Sequence, residues 1–382
     1  MTADQRKEAV LDEFVQRFPL LCLAFRRTPA GLQIANYRIL LFHSMFPLLV
    51  LLGSLFDDTF ELGGGRGIRD HYGYQALFLS APWLVYLCCW LVSTIARVIA
   101  EPGVQGKDES SLDPLRTELL NVAMRRTPMM QRLLWYFRSV GIAAVVANAA
   151  STRYPHFVYG QDVFDAYQHP SGYIAGRIFL AYYWAYLLPY AALFIYIAID
   201  TTVSIVRHVK QGTEYDLRCF ASDGCGGFRD LGQLMIIAVY MYIPIIFVIV
   251  ALSHTHRNFY PTLRLSAVLA LLIPAQLFLP FLRLHGLLKS LKRRRLRDLE
   301  QLLTGAELVI LRASTADVQP PPAPRLRAAA IGSYLKLLAG DTLYRQTVSL
   351  STWPYVRTDA VKWITPFIPI MTSTLLKRYG FL

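Results

Sequence analysis

The chain is short of charge. Asp, Glu, Lys and Arg make up only 17% of its 382 residues, against roughly a quarter in a soluble domain. Acids are the scarcer kind: 26 Asp and Glu stand against 39 Lys and Arg, a formal net charge of +13. There are five cysteines, Cys22, Cys88, Cys89, Cys219 and Cys225, without the spacing of a secreted disulfide framework. The catalytic signatures G-x-S-x-G and H-E-x-x-H are missing, and so is the P-loop pattern G-x-x-x-x-G-K-[ST]. The first 37 residues are too polar for a secretory signal, and the first apolar run has no small-residue cleavage site. That run is expected to remain as an uncleaved span. These shortages argue against a soluble globular enzyme, a secreted disulfide scaffold and a P-loop phosphate site.

What the chain has in excess is apolar sequence: 54% of residues are hydrophobic and the mean hydropathy is +0.35. The expected fold class is an all-α integral membrane protein. A spanning helix needs about 20 mostly apolar residues, and six stretches meet or approach that, at 39–56, 75–99, 133–151, 178–206, 233–253 and 265–288. The third is the weakest, with Arg138 near its start and Asn148 near its end. Arg138 stands close enough to the interface for its head group to snorkel into water.

Basic residues alternate from connection to connection. Arg6, Lys7, Arg17, Arg26, Arg27 and Arg38 precede the first stretch, and only Arg66 and Arg69 follow it. Lys and Arg are again dense at 97–132, sparse at 152–177, dense at 207–229, sparse at 254–264 and dense at 289–297. The excess of Lys and Arg in cytoplasmic loops then predicts six spans with both termini in the cytoplasm. The same bias accounts for the net charge through the anionic inner leaflet. No module that reads nucleic acid accompanies it, so the expected partners are membrane lipids and further copies of the chain.

This divides the sequence into an amphipathic cytoplasmic segment 1–37, a transmembrane domain 38–288, a basic cytoplasmic helix 289–318, a proline-rich linker 319–330 and a membrane-associated tail 331–382. Val10, Leu11, Phe14, Val15 and Phe18 share one helical face, which reads as a helix lying on the inner leaflet. The basic helix is expected to continue the last span, with a break near Gly305. The tail run Trp363–Leu376 is short for a span and holds Pro366 and Pro369, so it reads as interfacial or re-entrant.

Few residues carry chemistry. In the loop "FASDGCGGF", Asp223, Gly224, Gly226 and Gly227 can form a nest whose amides converge on an anion or head group. The plain alternative is a tight turn opening the fifth span, with Asp223 capping backbone amides. Asp200, Thr201, Thr202 and Ser204, together with Gln276 in the sixth span, are candidates for lining a polar path, because ionisable groups within spans are costly and often functional. The plain alternative is a helix contact in which Arg97 pairs with Asp200. Lys292, Arg293, Arg294 and Arg295 are candidates for contact with anionic lipid. Neither Cys219 with Cys225 nor His254 with His256 has the ligand partners of a metal site, so no metal and no cofactor are expected. His43 in the first span reads as a hydrogen-bonding contact between helices.

The stretches "FASDGCGGFRDLG" and "STWPYVRTDAVKWITPFIPI" resemble segments of uncharacterised bacterial multi-pass inner-membrane proteins. Those carry an H-P-D-G-C-G-G-L-like loop between spans and a W-P-F-D-like tail before a final apolar run. The present chain departs at Ala221 and Ser222, where His and Pro would stand, and at Tyr355 and Val356. The resemblance covers about a tenth of the chain, implies a bacterial inner membrane and carries no activity. The function expected from the residues is a pore or regulated permeation protein responding to a cytoplasmic ligand or anionic lipid. The alternatives are a membrane-anchored sensor or scaffold without transport, and a lipid-modifying enzyme built on Asp216, Asp223 and Asp230.

Overall fold

The computed structural model describes residues 2–28, 31–56, 72–102, 104–105, 112–124, 181–211, 216–217, 228–255, 259–315 and 324–350, with a few single positions between 132 and 143. Helix accounts for 91% of what is described. Four helical stretches are long and apolar enough to cross a membrane: Asn36–Gly53, Gln75–Ala100, Tyr182–Val209 and Arg229–Val248. Of the other two predicted spans, 133–151 lies largely outside the described residues, and 265–288 is helical within a longer element.

Helix α1 (Ala3–Arg17) starts at a capping box: the Gln5 amide donates to Thr2 Oγ1 at 3.3 Å and the Thr2 amide to Gln5 Oε1 at 2.9 Å. Its apolar face is not laid on lipid. Leu11, Phe14 and Phe18 are buried in the protein core, where α1 packs against α4 (Tyr72–Ala100). Protein therefore covers the stripe that the sequence assigned to the bilayer surface. A short helix α2 (Pro19–Ala24) leads into a hairpin of β1 (Phe25–Thr28) and β2 (Gly31–Ile34). Gly31 has a φ of 103°, a conformation glycine adopts without steric cost. The hairpin is fastened to α1 by Arg27, whose Nη2 reaches both carboxylate oxygens of Asp12 at 2.7 Å.

Helix α3 (Asn36–Phe56) lies at the periphery. Its most apolar window is 17% buried, against 61% for that of α4 and 72% for each of the other two candidate spans. Helix α4 is the centre of the bundle, with Ser80, Cys88, Cys89 and Ile95 all fully buried. It packs on α3, on α6 (Leu188–Gln211), on α7 (Arg229–Tyr240) and on α8 (Tyr242–Thr255). A π-helical turn, Tyr182–Leu187, precedes α6. It ends two residues before Pro189, whose ring crowds the carbonyl four residues earlier, within the turn. The break between α7 and α8 at Met241 has a similar cause, since Pro244 cannot donate to the Tyr240 carbonyl.

Between α4 and α7 the chain forms β3 (Val104–Gln105), α5 (Asp113–Ala123) and β4 (Asp216–Leu217). The two strands pair antiparallel. Helix α9 (Phe259–Thr315) runs 57 residues without a break at Gly305, a length of ~85 Å. Residues 324–330, read above as linker, open α10 (Pro324–Ser349) instead. Leu303 meets Gly340 and Lys292 meets Val348, so α10 folds back antiparallel along α9. The part of the tail 331–382 up to Ser349 is therefore the second arm of a helical hairpin.

Candidate functional site

The polar residues of α6 fall at helical spacing. Asp200, Thr201, Ser204, Arg207 and His208 stand at i, i+1, i+4, i+7 and i+8, on one side of the helix. Asp200 is half-buried, and Arg207 and Glu118 are the charged groups acting on it. Thr201 is fully buried, and its Oγ1 has no hydrogen-bond partner among the described residues. A buried hydroxyl left unpaired costs about 1–3 kcal/mol, so Thr201 is a candidate for contact with a polar solute. Ser204 is buried as well. Thr202 points away from this group: its Oγ1 donates back to the Ala198 carbonyl at 2.9 Å and lies 3.3 Å from Met235 Sδ on α7. Its role is contact between helices.

The connection after α4 supplies the other wall. Helix α5 begins with Pro114 in its first turn and Asp113 at its start, both favourable at a helix N-terminus. Its face of Leu115, Leu119 and Ala123 is buried, and it packs against α6. That places Glu118 within 2.8 Å of His208 Nδ1. The result is a bracket of a carboxylate, buried hydroxyls, an arginine and an imidazole–carboxylate pair, all held on packed helices.

Arg97 does not pair with Asp200. Its Nη1 reaches Asp230 Oδ1 at 3.1 Å, joining the end of α4 to the first turn of α7. This also engages one of the three aspartates of the lipid-enzyme reading. Arg138, expected to snorkel, donates to Tyr190 Oη at 3.1 Å and lies over that ring. His43 is buried between the Ile39 carbonyl, 2.7 Å from Nδ1, and Tyr182 Oη, 3.0 Å from Nε2. Ser80 Oγ lies 3.3 Å from Tyr183 Oη.

The loop candidates Asp223, Gly224, Gly226 and Gly227 lie outside the described residues. Its two ends are fixed: β4 pairs with β3 before it, and fully buried Phe228 starts α7 after it. Gln276 stands within α9, where the structure describes the backbone alone. Among the basic candidates Arg293 and Arg294 are exposed and Arg295 is half-buried. Lys292 is turned inward, donating to the Val348 and Leu350 carbonyls at 2.7 and 2.8 Å. Among the described residues no group of three or more His, Cys, Asp or Glu is placed to hold a metal ion.

His43 makes the contact between helices expected of it, through Tyr182; the identity of that partner and the Glu118–His208 pair escaped sequence reasoning because each pair joins residues far apart in the chain. The polar side of α6 was legible, because helical periodicity alone groups it. The chain matches no protein-family model, no curated protein and no solved structure.

Proposed function

We propose that this protein is an oligomeric permeation protein of a bacterial inner membrane, with both termini in the cytoplasm and its opening set by a cytoplasmic ligand or anionic lipid. One observation carries the reading. The lower half of α6, otherwise packed in an apolar bundle, turns Asp200, Ser204 and the Thr201 hydroxyl, unpartnered among the described residues, to one side. Oxygen ligands of this kind replace part of the hydration shell of a cation or a small polar solute. The Glu118–His208 pair closes the same side from α5. The loop 218–232, which joins β4 to α7, and the basic stretch of α9 supply the sensing elements.

The test is flux from vesicles reconstituted with the whole chain, paired with native mass spectrometry of the purified protein. A defined oligomer that releases small cations or polar solutes, and an Asp200→Asn variant that folds but changes rate or selectivity about tenfold or more, support the reading. A monomer without flux ends it.

A second reading, a membrane-anchored scaffold without transport, draws on the α9–α10 hairpin. Ile331, Tyr334, Leu335 and Leu338 are all exposed along one side of α10. Removing residues 319–382 leaves flux intact if the hairpin only recruits partners, and alters it if the hairpin gates.

A further inference from the structure

On α3 and α4 the large exposed apolar side chains form one band; the others stand at Leu23, Trp135, Tyr136 and Ile142 and along the α9–α10 hairpin. On α3 it runs from Leu40 to Leu55, and on α4 it takes in Leu79, Trp83 and Tyr86 and then stops. Beyond Tyr86 no large apolar residue of α4 is exposed, and none is exposed among the described residues of α6, α7 or α8. A helix surrounded by lipid shows apolar side chains outward along its whole span. On α4 that outward apolar face ends at Tyr86.

Side-chain contacts fix the relative heights. His43 meets Tyr182, and Ser80 meets Tyr183, so these residues lie at one level. From His43 back to Tyr37 is ~9 Å along α3, and from Tyr182 on to Tyr190 is ~12 Å. Tyr37 and Tyr190 thus lie near a second level, below the first. Arg97 meets Asp230 at the far end. Ten residues back from that contact along each helix stand Leu87 and Tyr240, the residue before the α7–α8 break. The apolar band, the start of α3 and the kink at Met241 therefore end together.

Below this level α1 brings charged side chains to the bundle. Phe18 packs on Phe194 at 5.1 Å, which seats α1 against the lower half of α6. That helix carries Asp4, Lys7, Glu8, Asp12, Glu13 and Arg17, a set of charges that hydrocarbon would not accept. At the level itself stand arginines on tyrosines. Arg38 Nε donates to Tyr37 Oη at 3.0 Å, Arg26 is a second cation acting on Tyr37, and Arg138 lies over Tyr190. Among the described residues none of these three arginines has an acidic partner. Arg27, by contrast, is taken by Asp12.

We infer that the bilayer ends at the level of Tyr37, Leu87, Tyr190 and Met241, and that Arg26, Arg38 and Arg138 form a collar there that binds the phosphates of leaflet lipids. The lower halves of α4 and α6, all of α7, and α1 and α5 then form a helical domain in water beneath the membrane. The polar side of α6 then lines a cytoplasmic vestibule at the inner mouth of the bundle, ~15 Å below the collar. Tyrosine at an interface offers its ring to the acyl boundary and its hydroxyl to the head groups. An arginine on such a ring keeps its planar fork for a phosphate. This inference rests on the packing of the helices and does not depend on permeation.

The test uses the whole chain in nanodiscs, where both faces are open to water. Single substitutions Ser93→Cys on α4 and Ile199→Cys on α6 are compared with Leu48→Cys and Leu79→Cys in the band. Each is treated with a charged maleimide, and the modified peptide is located by mass spectrometry. Ser93→Cys and Ile199→Cys are expected to react at least tenfold faster than the other pair. Equal, slow reaction at all four sites overturns the boundary. The collar is tested by native mass spectrometry after exposure to mixed phosphatidylglycerol and phosphatidylcholine. The wild-type chain is expected to retain phosphatidylglycerol. The Arg26→Gln, Arg38→Gln, Arg138→Gln variant is expected to lose that preference, and the triple Lys variant to keep part of it. Undiminished retention in the Gln variant overturns the collar.

Discussion

Lys292 on α9 donates to the carbonyls of Val348 and Leu350, at 2.7 and 2.8 Å, and so closes the last turn of α10. The final carbonyls of a helix lack partners within it, and a cation there also suits the helix dipole. Burial holds the Lys292 ammonium below the usual lysine range. The unfolded chain therefore binds more protons than the folded one in the window just under the ordinary lysine value, and hairpin stability rises with pH through that window. Thermal melts between about pH 8 and 10 are expected to show the rise in the wild-type chain and a smaller one in Lys292→Met. That variant is also expected to lose about 0.5–1.5 kcal/mol near neutral pH. Identical pH profiles would count against the assignment.

The buried His43–Tyr182 contact predicts a non-additive pair. Tyr182→Phe removes the hydroxyl and leaves His43 Nε2 buried without its partner, at a cost of about 1–3 kcal/mol. Replacing both, with His43→Leu and Tyr182→Phe, is expected to recover most of that loss. Detergent-solubilised melts of the two single variants and the double variant measure the coupling directly.

Arg97 and Asp230 are 42% and 31% exposed, so their pairing is screened by solvent. Asp230→Asn is expected to cost about 1 kcal/mol or less. This small structural effect makes Asp230 a useful probe. If Asp230→Asn abolished a lipid-modifying turnover while the melting point stayed within a degree or two, the enzyme reading would return.

Gly31 has the carboxylate of Glu8 lying over it, in the space a Cβ would need. Its φ of 103° adds backbone strain for any other residue. Gly31→Ala is expected to cost roughly 1–3 kcal/mol and to loosen the hairpin from α1. Adding Glu8→Ala is expected to return the steric part and leave the backbone part. Equal stability of Gly31→Ala and wild type would exclude the tight approach.

The sequence by itself determined that the chain is helical, with runs long and apolar enough to cross a membrane. Runs of apolar residues are a local property, and a bilayer accepts little but helix from a single run. It also determined the amphipathic helix at the start and the polar side of α6, because both follow from the 3.6-residue period within one element. Only the tertiary structure decided what those faces touch. The stripe of Leu11, Phe14 and Phe18 is as suited to lipid as to protein, and it is the packing against α4 that fills it. Arg97 had two aspartates to choose between, and the α4–α7 contact gave it Asp230. Glu118 met His208 because α5 folds onto α6. Hydrophobic pattern encodes which side of a helix is apolar, and it is silent on the identity of the neighbour. Neighbours are chosen by shape and by the pairing of polar groups across the whole bundle, where residues ninety or more positions apart come within hydrogen-bonding distance.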